Sequence, residues 1–213
     1  MMILNTIILM VSIIILYLVY EHLWMKRFKV SPIENFKKWL VKEDVVILDT
    51  ETTGFRKNDE IIEIAIINTK GETLLDKRVM PNCPIPIEAT DIHGLTKRKL
   101  KGSPSWSEIH DEVMTVLEGK TIVAYNSEFD IRLLRQTMKT HGQKIPYLQH
   151  ECAMKMYAKY RAVPDKRHKN FKWHKLTQAA RFEKIEVKNA HNALGDCLMT
   201  LNLIRAVSLR DEN

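Results

Sequence analysis

Cysteine is scarce in this sequence: Cys83, Cys152 and Cys197 are the only three in 213 residues. They are widely spaced and odd in number, so they fit neither a disulfide framework nor a zinc pattern. Buried thiols in a reducing compartment are what remains. No internal repeat and no low-complexity segment is visible, which sets aside repeat arrays and compositionally biased linkers. Charged side chains are missing from Met1 to Tyr20. A basic leader and a small-residue cleavage site are missing there too, which argues against a cleaved signal peptide.

What is present is a basic chain long enough for one sizeable domain. Net charge is +7 and the pI is near 9.2, a surface that attracts polyanions or anionic lipid. Hydrophobic residues make up 45%, enough to build a core.

Met2 to Tyr20 is a run of 19 residues, of which 12 are Ile, Leu or Val. As a helix it reaches about 28 Å, close to the roughly 30 Å hydrocarbon core of a bilayer. At about −0.5 kcal/mol each, those aliphatic residues contribute about −6 kcal/mol to insertion. Lys26, Arg27, Lys29, Lys37 and Lys38 follow the run, and only the amino terminus is basic before it. The positive-inside rule then puts the rest of the chain in the cytoplasm as a single-pass membrane protein. The expected division is an anchor over 1–24, a basic juxtamembrane linker over 25–43, a folded domain over 44–208 and a tail over 209–213. Ser31-Pro32-Ile33-Glu34 predicts a short amphipathic helix in the linker, with Ile33, Phe36 and Leu40 on one face. The pattern does not decide whether that helix lies on the membrane or on the domain.

Beyond it, Val45–Leu48, Ile61–Asn68 and Leu74–Val79 read as strands, the last two joined by a turn at 69–72. Pro81, Pro84 and Pro86 predict an extended connection. Helical periodicity follows through Ile109, Val113, Val116 and Leu117, then a strand over Thr121–Tyr125. Further helices are predicted from Phe129 to Met138, near 153–161, over 175–182, and through Leu194, Cys197, Leu198, Leu201 and Ile204. This order predicts an α/β domain with a mixed central sheet flanked by helices, preceded by one N-terminal transmembrane helix.

Three short blocks carry chemistry: Asp49-Thr50-Glu51-Thr52-Thr53-Gly54, Asn126-Ser127-Glu128-Phe129-Asp130 and His191-Asn192-Ala193-Leu194-Gly195-Asp196. Asp49 and Glu51 are two apart, so on a strand they point to the same side. Asp130 falls on the first turn of a helix after a strand, and Asp196 at the start of the last helix. Strand ends and helix starts meet at one edge of an open α/β sheet. His191 and Asp196 are about 140° apart on a helix, so His191 belongs in the preceding loop, with Asn192 as a candidate N-cap.

Four carboxylates in one pocket repel, at about 4 kcal/mol per pair at 4 Å and an effective dielectric near 20. Two Mg²⁺ or Mn²⁺ ions would cancel that charge, and hard oxygen donors prefer them to zinc. Such a pair can generate hydroxide and stabilise a phosphoryl transition state. Imidazole, with a reference pKa near 6.5, can accept the proton from water at neutral pH. The expected activity is metal-dependent phosphodiester hydrolysis. The alternatives are a membrane-tethered nucleic-acid-binding protein that does not cut, and a hydrolase of short oligoribonucleotides.

These blocks, with Ile92-His93-Gly94-Leu95-Thr96 and Tyr125 before Asn126, resemble DnaQ-like 3′–5′ exonucleases of the DEDDh type. That family includes polymerase proofreading subunits, RNase T and oligoribonuclease. The resemblance covers about Val45 to Arg205 and implies an RNase H-like fold. It implies that Asp49, Glu51 and Asp196 hold the catalytic metal, that Asp49 and Asp130 serve the second, and that His191 is the general base. Thr52, Thr53, Gly54, Phe55 and Asn126 would bind substrate, and His93 would either approach the terminal nucleotide or serve a turn with Gly94. Tyr125 departs from the pattern, since many relatives carry His there. The partner implied is a DNA or RNA 3′ end, expected to be single-stranded.

Two basic clusters could hold that strand. One is Lys97, Arg98, Lys99 and Lys101. The other is 165–175, with five Lys or Arg interleaved with Phe171 and Trp173. Trp173 is expected to face the core.

Overall fold

The computed structural model describes residues 10, 12–17, 19, 31–165, 170–188 and 190–210. The predicted membrane helix over 2–20 lies mostly outside the described residues. Among the described residues, no helix is long and apolar enough to cross a membrane.

Five strands form a mixed sheet: β1 (Val45–Thr52), β2 (Ile61–Asn68), β3 (Thr73–Arg78), β4 (Thr121–Ala124) and β5 (His150–Cys152), in the order β3-β2-β1-β4-β5. β1 pairs antiparallel with β2 and parallel with β4, and β4 pairs parallel with β5. β1 and β2 are apolar on both faces because helices cover both. The helices are α1 (Pro32–Val41), α2 (Ile87–His93), α3 (Trp106–Leu117), α4 (Ser127–Thr140), α5 (Ala153–Arg161), α6 (Leu176–Phe182) and α7 (Ala193–Ser208).

Strand parity sorts the core. Val45, Ile47, Ala65 and Ile67 pack with Phe36, Trp39, Tyr157, Leu201 and Ile204 on the side of α1, α5 and α7. Val46, Leu48, Ile64 and Ile66 pack with Trp106, Val113, Leu133, Leu134 and Met138 on the side of α3 and α4. The period of two therefore assigns Asp49, Glu51 and Glu63 to the α7 face, and Thr50 to the α4 face.

The helix at the domain's entrance packs on the domain. Ser31 caps α1 by accepting from the Glu34 backbone N–H at 3.5 Å. Phe36 and Trp39 meet edge-to-face at 5.3 Å inside the core, and the Trp39 indole N–H donates to Glu151 at 3.0 Å. The 69–72 turn is built on Asn68, whose side-chain oxygen accepts from the backbone N–H groups of Lys70 and Glu72 at 3.0 and 2.9 Å.

Three differences from the sequence reading have local causes. β1 runs on to Thr52, because ladder hydrogen bonds carry the strand past the apolar run that marks it. The connection after Pro86 is not wholly extended: it contains α2, a seven-residue helix whose Ile87 and Ile92 are exposed, so no apolar stripe betrays it. In α7, Leu198 turns outward while Cys197, Leu201 and Ile204 fill the core.

Candidate active site

β1 delivers the first pair of carboxylates. Its register with β2 shifts between Glu51 and Thr52, a bulge at the strand end of the kind that re-aims side chains beside sites. α4 supplies Asp130 from its first turn; the side chain is buried and accepts from the Thr50 hydroxyl at 2.8 Å. That bond ties the start of α4 to the middle of β1. α7 supplies Asp196. Its N-cap is Asn192, whose side chain accepts from the Gly195 N–H at 3.1 Å.

His191 sits in the loop before α7 with φ of 64°, a left-handed conformation. It is exposed, and its backbone N–H points to Asp196 Oδ2 at 3.4 Å. One ligand-type atom from each of Glu51, His191 and Asp196 lies within 4.8 Å of the others.

The carboxyls are held far from their ordinary acidity. Burial raises Asp49 well above the usual range, and Asp130, Asp196, Glu51 and Glu63 push it further. Glu51 is pushed up to about 8, by burial first and then by Asp196, Glu63 and Asp130. Asp130 rises to about 7 through burial, despite the Thr50 hydrogen bond that opposes the rise. Asp196 is raised by burial. Desolvation and mutual repulsion in one place are what a bound cation would relieve. Asp196 Oδ1 is also buried with no hydrogen-bond partner, a donor oxygen left open. The residues present fit a divalent metal.

Around this cluster, Thr52 is buried, and its hydroxyl donates to the Gly54 carbonyl at 2.7 Å. Gly54 has φ of 152°, and a Cβ there would meet Asp59 Oδ2 at 2.6 Å, so a side chain would be strained and would have to displace the Asp59 carboxylate. Phe55 is exposed just beyond it. The Thr53 side chain is engaged by the loop that follows it. It is fully buried, donates to Asp59 at 3.0 Å and accepts from the Glu60 N–H at 3.0 Å. His93 ends α2, and its electrostatic neighbours include Glu63 and His191. Its Nδ1 accepts from the Leu95 N–H at 3.0 Å, its Nε2 is buried and unpartnered, and burial lowers its pKa. Asn126 is the exposed N-cap of α4. Tyr125 is buried and donates its hydroxyl to the His174 carbonyl at 2.8 Å.

Residues 46–204 match the exonuclease family RNase_T. The chain belongs to this exonuclease family. It is 43% identical over 182 residues to an uncharacterized exonuclease, CP81, of Escherichia phage 186, a match covering 82% of this chain and 93% of that protein. It is 26% identical over 170 residues to DNA polymerase III subunit epsilon of Buchnera aphidicola subsp. Schizaphis graminum, covering 75% of this chain and 70% of that one. A solved structure of exonuclease X in complex with 5′ overhanging duplex DNA superposes with a TM-score of 0.56. Identity there is 26%, over 76% of this chain and 90% of that one.

Sequence reasoning missed one residue of this exonuclease's site, Glu63. It pairs with Glu51 in the β1–β2 register. One of its oxygens accepts from the Ala193 N–H at 2.9 Å and the Asn192 amide at 3.1 Å, and the other faces Arg78 at 3.2 Å. A carboxylate is thus fixed at the N-terminus of α7, where the helix dipole favours it. It sets the start of the helix that carries Asp196 and of the loop that carries His191. The signal was available: Glu63 is the one charge in Ile61-Ile-Glu-Ile-Ala-Ile-Ile67, buried on both sides.

The basic segment also differs from expectation. Phe171 is buried, whereas Trp173 is 55% exposed. Strand β7 (Asn170–Phe171) pairs with β6 (Pro164–Asp165) and ends there, so strict alternation stops and His174 takes the next core position. Lys97, Arg98, Lys99 and Lys101 are exposed on the turn after His93-Gly94.

Proposed function

We propose that this exonuclease removes nucleotides from the 3′ end of DNA or RNA and releases nucleoside 5′-monophosphates, in the DEDDh manner. One observation carries the reading: Glu51, His191 and Asp196 offer ligand-type atoms within 4.8 Å of one another, and the charges of Glu51, Asp130 and Asp196 all act on buried Asp49. The four carboxylates would hold two Mg²⁺ or Mn²⁺ ions, the first with Asp49, Glu51 and Asp196 and the second with Asp49 and Asp130. When bound, such ions supply Lewis-acid stabilisation of the phosphoryl group and acidify water.

The imidazole of His191 takes a proton from the attacking water as its oxygen adds to phosphorus. The bond from phosphorus to the 3′ oxygen of the preceding nucleotide breaks, and that oxygen leaves with a proton. Thr52, the Gly54 backbone, Phe55, His93 and Asn126 border the space for the terminal nucleotide. Exonuclease X is seen with 5′ overhanging duplex DNA, which supports a polynucleotide end as the substrate here.

The same proposal places residues 2–20 in a membrane, with the exonuclease domain over 44–208 facing the cytoplasm and α1 packed on it. Support comes from the uncharged run and the lysines after it. It comes also from the exposed, helical Ile13, Ile14, Ile15, Leu16 and Tyr17.

The test is stepwise shortening of end-labelled DNA and RNA, single-stranded and 5′-overhanging, with Mg²⁺ and with EDTA. Shortening from the 3′ end that needs metal, and is abolished in Asp49→Ala while that variant still binds the strand in Ca²⁺, is the expected result. Full activity in Asp49→Ala removes the carboxylate cluster from the mechanism.

A further inference from the structure

Trp173 is a large apolar ring left in water on a segment whose backbone is tied on both sides. It is 55% exposed, whereas Trp39 and Trp106 are 1% and 0% exposed. Exposed Lys172 and Lys175 flank it. The backbone beneath is fixed on both sides: the Lys172 N–H donates to the Val163 carbonyl at 2.8 Å, and the Lys175 carbonyl accepts from Ala179 N–H at 2.9 Å. His174 is locked underneath, edge-on to Tyr157 at 6.0 Å and to Phe182 at 5.5 Å.

The segment is also tied to the catalytic edge. The Tyr125 hydroxyl donates to the carbonyl of His174, the residue after Trp173. Tyr125 directly follows β4 and precedes Asn126, the N-cap of the helix whose first turn carries Asp130. β4 runs parallel to β1, so its end opens on the same side of the sheet as Asp49 and Glu51. An exposed indole flanked in sequence by two lysines, on a segment bonded to the strand end that leads to Asp130, matches what a single strand needs: a face for a base and charge for the phosphates.

We propose that Trp173, with Lys172 and Lys175, is a stacking platform for a base of the single strand upstream of the nucleotide being removed. This rests on the exonuclease reading above. On this proposal a dinucleotide held at the site leaves the platform empty, whereas a longer strand crosses it.

The full-length protein in neutral phosphatidylcholine nanodiscs is assayed on a dinucleotide and on a single strand of about 20 nucleotides. Trp173→Ala is expected to raise KM for the strand about tenfold, the effect of losing one stacked base. Its kcat and its dinucleotide rate should stay as in the wild type, and Trp173→Phe should restore most of the affinity. Lys172→Glu with Lys175→Glu should weaken strand binding and flatten its salt dependence. In Ca²⁺, the strand should quench tryptophan fluorescence in the wild type and much less in Trp173→Ala.

Equal losses on dinucleotide and strand would mark Trp173 as structural and overturn the platform, as would an unchanged KM for the strand. A fluorescence blue shift in phosphatidylserine nanodiscs without quenching by the strand would overturn it in favour of a lipid contact. A wild type that binds the strand through Trp173 but cuts neither substrate would keep the platform and sink the exonuclease reading.

Discussion

Replacing Glu51 by glutamine should stabilise the metal-free protein while it removes activity. Glu51 is 9% exposed, and its carboxyl is pushed up to about 8 by burial and by Asp196, Glu63 and Asp130. In the unfolded chain the same group ionises near 4.5. Keeping it largely protonated at pH 7.5 in the fold therefore costs about 4 kcal/mol without a cation. Glutamine has no charge to suppress, and its amide can donate to the neighbouring carboxylates. Repacking takes part of the gain, leaving about 2 kcal/mol, which lifts Tm by about 4–8 °C for a domain of this size. The direction with pH follows from the raised pKa. The contribution of Glu51 is most favourable below about pH 4.5 and is lost as pH rises through about 8. In EDTA the wild-type Tm should fall from pH 5 to pH 8.5, and the Glu51→Gln curve should fall less. Saturating Mg²⁺ should restore the wild type and do less for the variant. The measurement is thermal unfolding by circular dichroism of full-length protein in detergent, with EDTA or Mg²⁺, across that pH range. A variant no more stable than the wild type in EDTA at pH 8, or a gap that does not widen with pH, refutes the repulsion on which the metal argument stands.

For His191→Ala, a rate loss of about 10²–10⁴ is expected, with the acidic limb of the pH–rate profile removed and strand binding in Ca²⁺ retained; an unchanged profile rules out His191 as the base. Glu63→Ala leaves the Ala193 N–H and the Asn192 amide without their acceptor. It should lose about 1–3 kcal/mol of stability and about 10–100-fold in kcat with little change in KM, and Glu63→Gln should recover much of both because one oxygen still accepts. A folded Glu63→Ala enzyme with wild-type kcat would show that α7 needs no such anchor.

Much of the fold was legible because the core is written in period-two and period-four patterns. Ile61–Asn68 reads as a strand from its β-branched run and is one, and the helix over 153–161 is likewise where its pattern puts it. The acidic blocks were legible because Asp49 and Glu51 share a strand face and Asn192 is a strong N-cap, which leaves His191 outside the helix. What escaped has two causes, contacts between distant segments and apolar side chains that face water. Glu63 is meaningful only once α7 reaches β2, and its partners lie about 130 residues on. α2 was hidden by three prolines and by exposed isoleucines. β5 is three residues long with no apolar run of its own, and it is a strand because β4 offers it an edge. Trp173 reads as core by residue type, yet it faces water because His174 fills the adjacent slot.

The candidate site draws on both ends of the folded domain: Asp49 and Glu51 come from its first strand, Asp196 from its last helix and His191 from the loop before it. Ribosomes deliver a polypeptide amino end first. A copy made only as far as β5, even with its sheet already paired, therefore has three of the four acids waiting for the helix that carries the fourth, and lacks His191. On the proposed roles, the power to cut therefore arrives only once codon 196 has been read, and a nascent chain halted before it is harmless to nucleic acid.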